Sequence, residues 1–265
     1  MTEIPRTNDP GAPDPSQDPA KIDALLNGRL RLRQPQEGHR VGTDAILLAA
    51  MLDDPGPRVV DAGAGVGAVG LALALRAPQS RVTLIERDSR IAALAAGNAA
   101  LNGLTDRVET AVCDLMDTGG RRAAGLENER ASSVYSNPPF FAAGAVRASP
   151  DPARAAAHVL GPEGMGAWLR ACLALLAPDG RLALICLPES LGEILAACEN
   201  RAGGLRITPV HPRAQAPAKR ILVSARKGSR APLALAPPLV LHGEDGAFTA
   251  RAQAIHRGER TLGDA

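Results

Sequence analysis

The 265-residue chain has 30 Lys and Arg against 28 Asp and Glu, a formal net charge of +2, and its four cysteines show no paired spacing. The length suffices for one large core, and no apolar run approaches the roughly 18 residues of a membrane span. These features argue against a membrane protein, a secreted disulfide scaffold and a zinc site. We therefore expect a cytoplasmic protein that needs no metal.

The N-terminal region divides into a tail and the start of a domain. Residues 1–20 are rich in Pro and Asp with almost no apolar side chains, so we expect them to be disordered. The folded domain is expected to span residues 21–265. Arg and Leu alternate strictly over residues 29–33, as in a half-buried strand. The Arg side chains would share one face, which could contact RNA phosphates or simply face solvent.

Strand and helix patterns then alternate along the chain. The pattern predicts strands at residues 58–61, 81–86, 107–112, 132–136 and 181–187, and helices at 66–76, 89–101, 163–176 and 189–200. This alternation predicts an α/β fold with a doubly wound, mostly parallel sheet. A last pair of strands, 205–210 and 219–225, is joined by a short Pro-rich link and predicts an antiparallel hairpin at one edge.

A glycine-rich loop follows the first strand of this series. Asp61 precedes Gly63, Gly65 and Gly67, and a helix pattern begins directly after them. Glycines let the backbone approach a ligand closely, and the helix start offers N–H donors. The spacing also fits the dinucleotide fingerprint, so the loop alone does not separate NAD from S-adenosylmethionine. Asp61 favours S-adenosylmethionine, because a carboxylate pairs with its cationic amino acid end and repels a pyrophosphate.

Acidic residues end the next two predicted strands. Glu86 lies about 20 residues beyond the glycine loop, where a carboxylate can accept hydrogen bonds from ribose hydroxyls. Asp114 follows the third strand and could accept from the amino group of an adenine. Each also has a plain alternative, a solvated strand end for Glu86 and an ordinary loop position for Asp114.

The turn Asn137-Pro138-Pro139-Phe140 follows the fourth strand of the series, at the sheet edge where ligands bind in open α/β folds. The Asn137 amide oxygen and the Pro138 carbonyl are adjacent acceptors, and Phe140 offers a flat apolar face. This combination suits a planar NH₂ group whose nitrogen attacks. A rigid turn that merely ends a strand is the alternative, and the glycine loop upstream weakens it.

In this order the motifs resemble the class I S-adenosylmethionine-dependent methyltransferases that methylate amino groups. Residues 38–50 resemble the N-terminal signature of the bacterial tRNA adenine-N6 methyltransferases that modify the adenine 3′ of the valine tRNA anticodon. Residues 219–223 and 239–242 resemble the closing segments of that family, and the similarity runs from about residue 30 to residue 257. His39 stands where an aromatic residue is usual in that family.

The resemblance implies a Rossmann-like class I methyltransferase domain that uses S-adenosyl-L-methionine to methylate N6 of an adenine in RNA, most plausibly tRNA. It places Asn137, Pro138 and Phe140 at the catalytic positions. It assigns cofactor binding to Asp61, Gly63, Gly65, Gly67, Glu86, Asp114 and Asn137. RNA is the expected partner, without metal or membrane.

Basic residues outside these motifs are candidate RNA contacts. The long segment 141–162, expected to act as a lid or substrate loop, carries Arg147, Arg154 and His158. The hairpin region adds a second group that could form a basic rim near the same sheet edge, composed of His211, Arg213, Lys219 and Arg220. Trp168 lies in an apolar helix pattern and is expected in the core.

Two rival functions remain at this point. A protein-glutamine N5-methyltransferase also binds a planar NH₂, but such enzymes usually carry an N-terminal helical domain, and here only residues 21–57 precede the glycine loop. A cofactor-binding RNA-interaction protein without catalysis is the second rival, and the complete Asn-Pro-Pro-Phe turn argues against it. An oxidoreductase is disfavoured by Asp61.

Overall fold

A computed structural model describes residues 22–35, 41–138, 141–142, 159–160 and 164–263. Its helices are α1 (Thr43–Ala49), α2 (Ala68–Arg76), α3 (Ser89–Leu101), α4 (Thr118–Ala123), α5 (Gly164–Leu175), α6 (Leu191–Cys198) and α7 (Ala250–His256). Its strands are β1 (Ile22–Leu25), β2 (Leu30–Arg33), β3 (Arg58–Ala62), β4 (Arg81–Glu86), β5 (Val108–Val112), β6 (Ala131–Ser136), β7 (Phe141–Ala142), β8 (Val159–Leu160), β9 (Leu176–Cys186), β10 (Ala202–His211), β11 (Arg220–Lys227), β12 (Ala234–Leu235) and β13 (Leu239–Val240). The predicted N-terminal tail lies outside the described residues.

The central sheet has the strand order β12-β10-β11-β9-β6-β3-β4-β5, with β13 also paired to β10. Strands β3, β4, β5, β6 and β9 run parallel, while β11 is antiparallel to both β9 and β10. The predicted doubly wound sheet with an antiparallel hairpin is confirmed. The hairpin is not the outermost element, however, because the short strands β12 and β13 add to β10 in parallel.

Helices cover both faces of this sheet, so its central strands are buried on both sides. One apolar cluster joins α1, α2, α3 and α7 to one face, and a second cluster joins α5 and α6 to the other. Both clusters consist mainly of Ala, Leu, Val and Ile. Such strands form parallel α/β sheets because two apolar faces need two helical layers.

The order in which the parallel strands are added to the sheet reverses at β3. From β3 the chain adds β4 and β5 on one side, and later adds β6 and β9 on the other side. Ligands of open α/β sheets bind outside the carboxyl ends of the strands at such a switch point. A ligand site is therefore expected at the carboxyl ends of β3, β4 and β6.

The N-terminal hairpin is joined to α3 by two asparagine side chains. The Arg31 N–H donates to Asn102 Oδ1 (2.9 Å), and Asn102 Nδ2 donates to the Arg31 carbonyl (2.7 Å). Asn98 makes the same pair of bonds with Arg33, at 2.8 and 3.0 Å. Residues i and i+4 lie on one face of a helix at nearly the spacing of alternate strand residues. The helix therefore replaces a neighbouring strand.

The predicted alternation of this strand is confirmed, since Leu30 and Leu32 are fully buried and Arg31 and Arg33 are exposed. Arg29 is engaged elsewhere, because its guanidinium donates to the carbonyls of Arg257 and Gly258 after α7. Only Arg31 and Arg33 of this segment thus remain as candidate phosphate contacts.

Replacement of Asn98 tests the junction. Asn98 is fully buried, and its Nδ2 also donates to the Val66 carbonyl in the glycine loop (3.0 Å). Asn98→Ala leaves these buried backbone groups unpaired and should lower the free energy of unfolding by about 2–4 kcal/mol. Asn102→Ala, at a more exposed position, should have a smaller effect. Urea denaturation measures both, and equal small losses would contradict this account.

Candidate functional site

The glycine loop after β3 has a backbone conformation that residues with side chains rarely adopt. Gly63, Gly65 and Gly67 have φ values of +74°, +55° and +88°, in the left-handed region. A Cβ on Gly63 would lie 3.0 Å from the ring of Trp168, so this glycine is also required by packing beneath the loop. A Cβ on Gly65 would meet nothing within 4 Å. The loop therefore presents its backbone to open space at Gly65, as close approach of a ligand requires.

Asp61 caps the helix that the loop begins. The N-cap of α2 is Gly67, which has no side chain to satisfy the first N–H groups. Asp61, at the end of β3, supplies the missing acceptor, since its Oδ2 accepts from the Gly70 N–H at 2.8 Å. A carboxylate near a helix N-terminus is also favoured by the helix dipole. Asp61 thus fixes the start of α2 against the sheet.

The environment of Asp61 is unusual for a carboxylate. The residue is 1% exposed. Burial raises its pKa to about 7, and the nearby Glu86 charge acts in the same direction, while the Gly70 hydrogen bond opposes them. A buried carboxylate that titrates near neutral pH is stabilised in its charged form by a cation. The predicted pairing of Asp61 with the cationic end of S-adenosylmethionine stays a prediction. Because the pKa is near 7, this pairing should make ligand affinity depend on pH in an accessible range.

Glu86 holds the glycine loop from the neighbouring strand. Its Oε2 accepts from the Gly65 N–H (3.0 Å), and its Oε1 accepts from the Asp88 N–H (2.9 Å) at the start of α3. A carboxylate has about four acceptor positions, so these two bonds leave capacity for ligand hydroxyls. The predicted ribose contact is compatible with this geometry and stays a prediction.

Asp114 lies at the same sheet edge, just after β5. It is exposed, and its Oδ1 accepts from the Met116 N–H at 2.8 Å, which closes a local turn. Because adjacent strands are about 4.8 Å apart, the ends of β3, β4 and β5 span roughly 10 Å, about the extent of a nucleoside. Asp61 lies one residue before the end of β3, Glu86 is the last residue of β4, and Asp114 follows β5. The predicted adenine contact of Asp114 remains a prediction.

Asn137 follows β6, on the other side of β3. Its amide oxygen Oδ1 is buried and has no hydrogen-bond partner within the part of the chain that the structure describes. A buried acceptor without a partner is destabilising by about 1–3 kcal/mol. Pro138 is buried beside it, whereas Pro139 and Phe140 lie outside the described residues. An unpaired amide oxygen at the switch point is suited to accept a hydrogen bond from a ligand.

Trp168 and Ser136 lie next to the glycine loop and the Asn137-Pro138 turn. The sequence patterns did not connect either residue to the site. Trp168 is buried, as expected, but its Nε1 donates to Ser136 Oγ at 3.0 Å. Ser136 is the last residue of β6, directly before Asn137, and its hydroxyl donates to the Ala62 carbonyl at 2.8 Å. The pair is 32 residues apart in sequence, and no local motif signals it.

The predicted basic rim is divided between structural and exposed side chains. Arg220 begins β11 at the carboxyl edge, since Ile221 pairs with Cys186 at the end of β9. Its Nε donates to Asp44 Oδ2 of α1 at 2.8 Å, and both side chains are partly buried. His211 Nδ1 lies 2.7 Å from the Ala216 carbonyl of the hairpin link. Lys219 and Arg213 are exposed, so they are the stronger candidates for phosphate contact.

The candidate substrate segment is described only in part. Its ends pair as a short parallel ladder between β7 and β8. Arg147, Arg154 and His158 lie outside the described residues.

Two buried cysteines have thiols that are weak nucleophiles at neutral pH. Burial raises the pKa of the Cys172 and Cys186 thiols to about 12, so both stay protonated at neutral pH. In residues 22–35, 41–138, 141–142, 159–160 and 164–263 there is no cluster of three or more His, Cys, Asp or Glu that could hold a metal ion. Within the same residues no helix is long and apolar enough to cross a membrane.

Known proteins resemble this chain in sequence and fold. A family model described as the methyltransferase small domain matches residues 39–169. The tRNA1(Val) (adenine(37)-N6)-methyltransferase of Porphyromonas gingivalis is 35% identical over 198 residues, covering 72% of this chain and 76% of that protein. The Aeromonas hydrophila protein of the same name is 34% identical over 215 residues, covering 80% and 86%. The crystal structure of a predicted O-methyltransferase from Agrobacterium tumefaciens is 35% identical, with a TM-score of 0.71 over 83% of this chain and 98% of that chain.

The titration of Asp61 yields a prediction for ligand affinity. A cation binds the ionised carboxylate, so it must displace a proton below the pKa of about 7. The affinity for S-adenosylmethionine, expected to be micromolar or about −8 kcal/mol near pH 7, should therefore fall between pH 7 and pH 5.5. Asp61→Asn should weaken binding about tenfold at pH 7 and remove this pH dependence. Calorimetry that finds the two proteins equal would contradict the pairing.

Asp61 should also make the stability of the ligand-free protein depend on pH. Stability should fall as pH rises, whereas ligand affinity should increase. A carboxyl group whose folded pKa is raised contributes stability below its unfolded pKa of 3.8 and loses it as pH rises through about 7. The ligand-free Asp61→Asn protein keeps an acceptor for the Gly70 N–H. Its stability relative to the parent chain should therefore increase from pH 5.5 to pH 8 in thermal melts. A constant difference across this range would show that Asp61 does not titrate near 7.

Proposed function

The chain belongs to the family of tRNA1(Val) (adenine(37)-N6)-methyltransferases, and from this premise we propose that it transfers the methyl group of S-adenosylmethionine to N6 of adenine 37 in valine tRNA. The observation that carries the proposal is the buried, unpaired Oδ1 of Asn137, next to the switch point of the sheet. An exocyclic amino group offers the hydrogen-bond donor that this oxygen lacks.

The residues at the carboxyl edge fit the cofactor of this family. The Gly65 backbone faces open space, and the buried Asp61 carboxylate has a pKa of about 7. Glu86 ends the adjacent strand β4, and Asp114 follows the next strand, β5. We assign the amino acid end to Asp61, the ribose to Glu86 and the adenine to Asp114. When bound, the cofactor supplies an electrophilic methyl group on a sulfonium.

Asn137 and Pro138 would orient the attacking nitrogen. The Asn137 amide oxygen accepts one amino hydrogen and the Pro138 carbonyl accepts the other, which turns the nitrogen lone pair towards the methyl group. Phe140 stacks on the base, which must leave its own stack to reach the site. Most of the acceleration comes from this alignment and from exclusion of water. The nitrogen carries a positive charge after it has received the methyl group, so one of its protons is acidic and is lost to water. No general base is therefore assigned.

The alternatives fit the described residues less well. A protein-glutamine enzyme would carry a helical domain before the glycine loop, whereas the described residues there form the β1–β2 hairpin and the short helix α1. A hydroxyl acceptor, as in an O-methyltransferase, calls for a base that removes its proton. Asn137 is an amide and cannot take a proton. The complete Asn-Pro-Pro-Phe turn argues against a cofactor-binding protein without catalysis.

RNA binding is assigned to the exposed cations at the edge of the site. Lys219 and Arg213 lie at the carboxyl end of the sheet beyond β9, and Arg31 and Arg33 project from β2, which is bonded to α3. A tRNA substrate supports the expectation of a cytoplasmic enzyme. Protein contacts with phosphates release counterions, so such binding depends on salt concentration.

The Asn137→Ala variant tests the chemistry. Removal of one of two acceptors should lower kcat about 10²-fold, roughly 3 kcal/mol of transition-state stabilisation. Affinity for the cofactor should barely change, and folding stability should not fall, because the lost oxygen had no partner in the described chain. Single-turnover methylation of valine tRNA measures the step. Near-normal turnover would remove Asn137 from the mechanism.

The salt dependence of tRNA binding tests the partner. Filter binding should weaken with salt at a log–log slope of about −0.7 for each phosphate neutralised on single strands. The double variant Arg213→Glu, Lys219→Glu should flatten this slope without affecting S-adenosylmethionine binding. The double variant Arg226→Glu, Arg230→Glu is the control with the same change of charge. Both residues are exposed, and Arg226 is the register partner of Arg181, at the end of the sheet away from the site.

A peptide methylation assay run in parallel identifies the rival substrate. Methylation of a glutamine peptide, together with tRNA binding that does not respond to salt or to the double variant, would replace the RNA proposal with the protein-glutamine activity.

A further inference from the structure

We propose that Trp168 and Ser136 form a positioning pair that fixes the acceptor turn to the glycine loop and so sets the distance between the attacking nitrogen and the methyl donor. The proposal rests on the proposed function, because its readout is methyl transfer. Neither residue is expected to touch the substrate.

The hydrogen bonds of the pair have a fixed direction. An indole nitrogen only donates, so the Ser136 hydroxyl must accept from Trp168 Nε1 at 3.0 Å. The single hydroxyl hydrogen of Ser136 is then left to donate to the Ala62 carbonyl, at 2.8 Å. All three residues are buried. The chain of bonds therefore runs from α5 through the end of β6 to the end of β3.

The pair acts at the last rung of the ladder between the two strands. Ala62 and Ser136 are the final register partners of β3 and β6. Gly63 directly follows β3, and Asn137 directly follows β6. A displacement at this rung therefore moves the cofactor loop and the acceptor turn relative to each other.

The indole ring also supports the cofactor loop directly. A Cβ added to Gly63 would lie 3.0 and 3.1 Å from two carbons of the Trp168 ring, so the ring packs against the backbone of this glycine. One rigid side chain thus contacts the glycine loop with its ring and holds the acceptor turn with its N–H. Asn137 Oδ1 has no partner in the described chain, so its position depends on the backbone that Ser136 fixes.

A purely structural role would explain the hydrogen bond differently. A buried indole N–H needs some acceptor, and Ser136 could simply provide one. In that case, loss of the bond would lower stability without a specific effect on catalysis. The positioning role predicts a fall in kcat, because misplacement of reacting groups by about 1 Å can cost about 10²-fold in rate.

Two single variants, their combination and one control variant separate these possibilities. Ser136→Ala removes the central hydroxyl and keeps the ring, whereas Trp168→Phe keeps an aromatic ring and removes the N–H. Each should lower kcat about 10- to 100-fold with KM and cofactor affinity within about threefold of the parent enzyme. The double variant should be no slower than the slower single variant, because both break one chain of bonds. Leu173→Val, a buried change on the same helix, is the control that should lower stability and leave kcat unchanged.

Fluorescence provides a readout that does not depend on turnover. Trp168 is the only tryptophan in the sequence, and its ring lies against Gly63. Titration with S-adenosylhomocysteine should change its emission saturably, and Ser136→Ala should alter the emission of the ligand-free protein. An emission that responds neither to the ligand nor to Ser136→Ala would contradict the coupling of the ring to the loop.

The kinetic comparison uses the acceptor that the parent enzyme methylates in parallel assays on tRNA and on glutamine peptides. An enzyme without tRNA activity overturns the proposed substrate but leaves the comparison of the variants intact. If Ser136→Ala and Trp168→Phe both keep kcat within about twofold of the parent enzyme while losing stability as Leu173→Val does, the pair is structural and the positioning role is wrong.

Discussion

The site depends on one buried hydrogen bond, from the Gly70 N–H to the Asp61 carboxylate. The loop needs glycine at the N-cap of α2, and glycine cannot cap a helix with a side chain. The strand before the loop supplies the acceptor instead. This arrangement fixes the helix start and the loop backbone to the switch point of the sheet, and it leaves a carboxylate in an apolar environment, with a pKa of about 7.

Two unfavourable features of the fold lie at the same edge. Asp61 carries a charge that burial disfavours, and Asn137 holds an amide oxygen without a partner in the described chain. Each lies directly at the end of a buried strand, β3 or β6, whose ladder holds it in place. A cationic group and an amino group would relieve both. Polar groups that are held in place without partners, and gain them only when ligands bind, are typical of a pre-organised site.

Local motifs were readable from the sequence because their chemistry depends on neighbouring residues. The strand Arg81–Glu86 and the helix Ser89–Leu101 agree with their predicted bounds to the residue. The glycine loop and the Asn-Pro turn follow the predicted strands, since a parallel α/β pattern brings successive strand ends to one edge. The sequence pattern predicts no helix between β5 and β6, but the structure has the short helix α4 there, which Asp117 caps by accepting from the Gly119 N–H.

Contacts between distant residues were not readable in this way. Asp44 and Arg220 are 176 residues apart, yet their ion pair joins the segments that resemble the family at the two ends of the chain. The side chains of Asn98 and Asn102 bond to the backbone of β2 as a neighbouring strand would, and hydrophobic periodicity does not reveal this role. The two-residue strand β12 is too short to show alternation, so the outer side of β10 could not be anticipated. Such features follow from tertiary packing and not from propensity.

Nucleoside mass spectrometry of valine tRNA from a strain that lacks the gene tests directly whether this edge methylates N6 of adenine 37. N6-methyladenosine should be absent from position 37 in the deletion strain, return with the parent gene and fail to return with the Asn137→Ala gene. An unchanged level of the modification in the deletion strain would exclude this activity, and full restoration by the Asn137→Ala gene would exclude the role of Asn137.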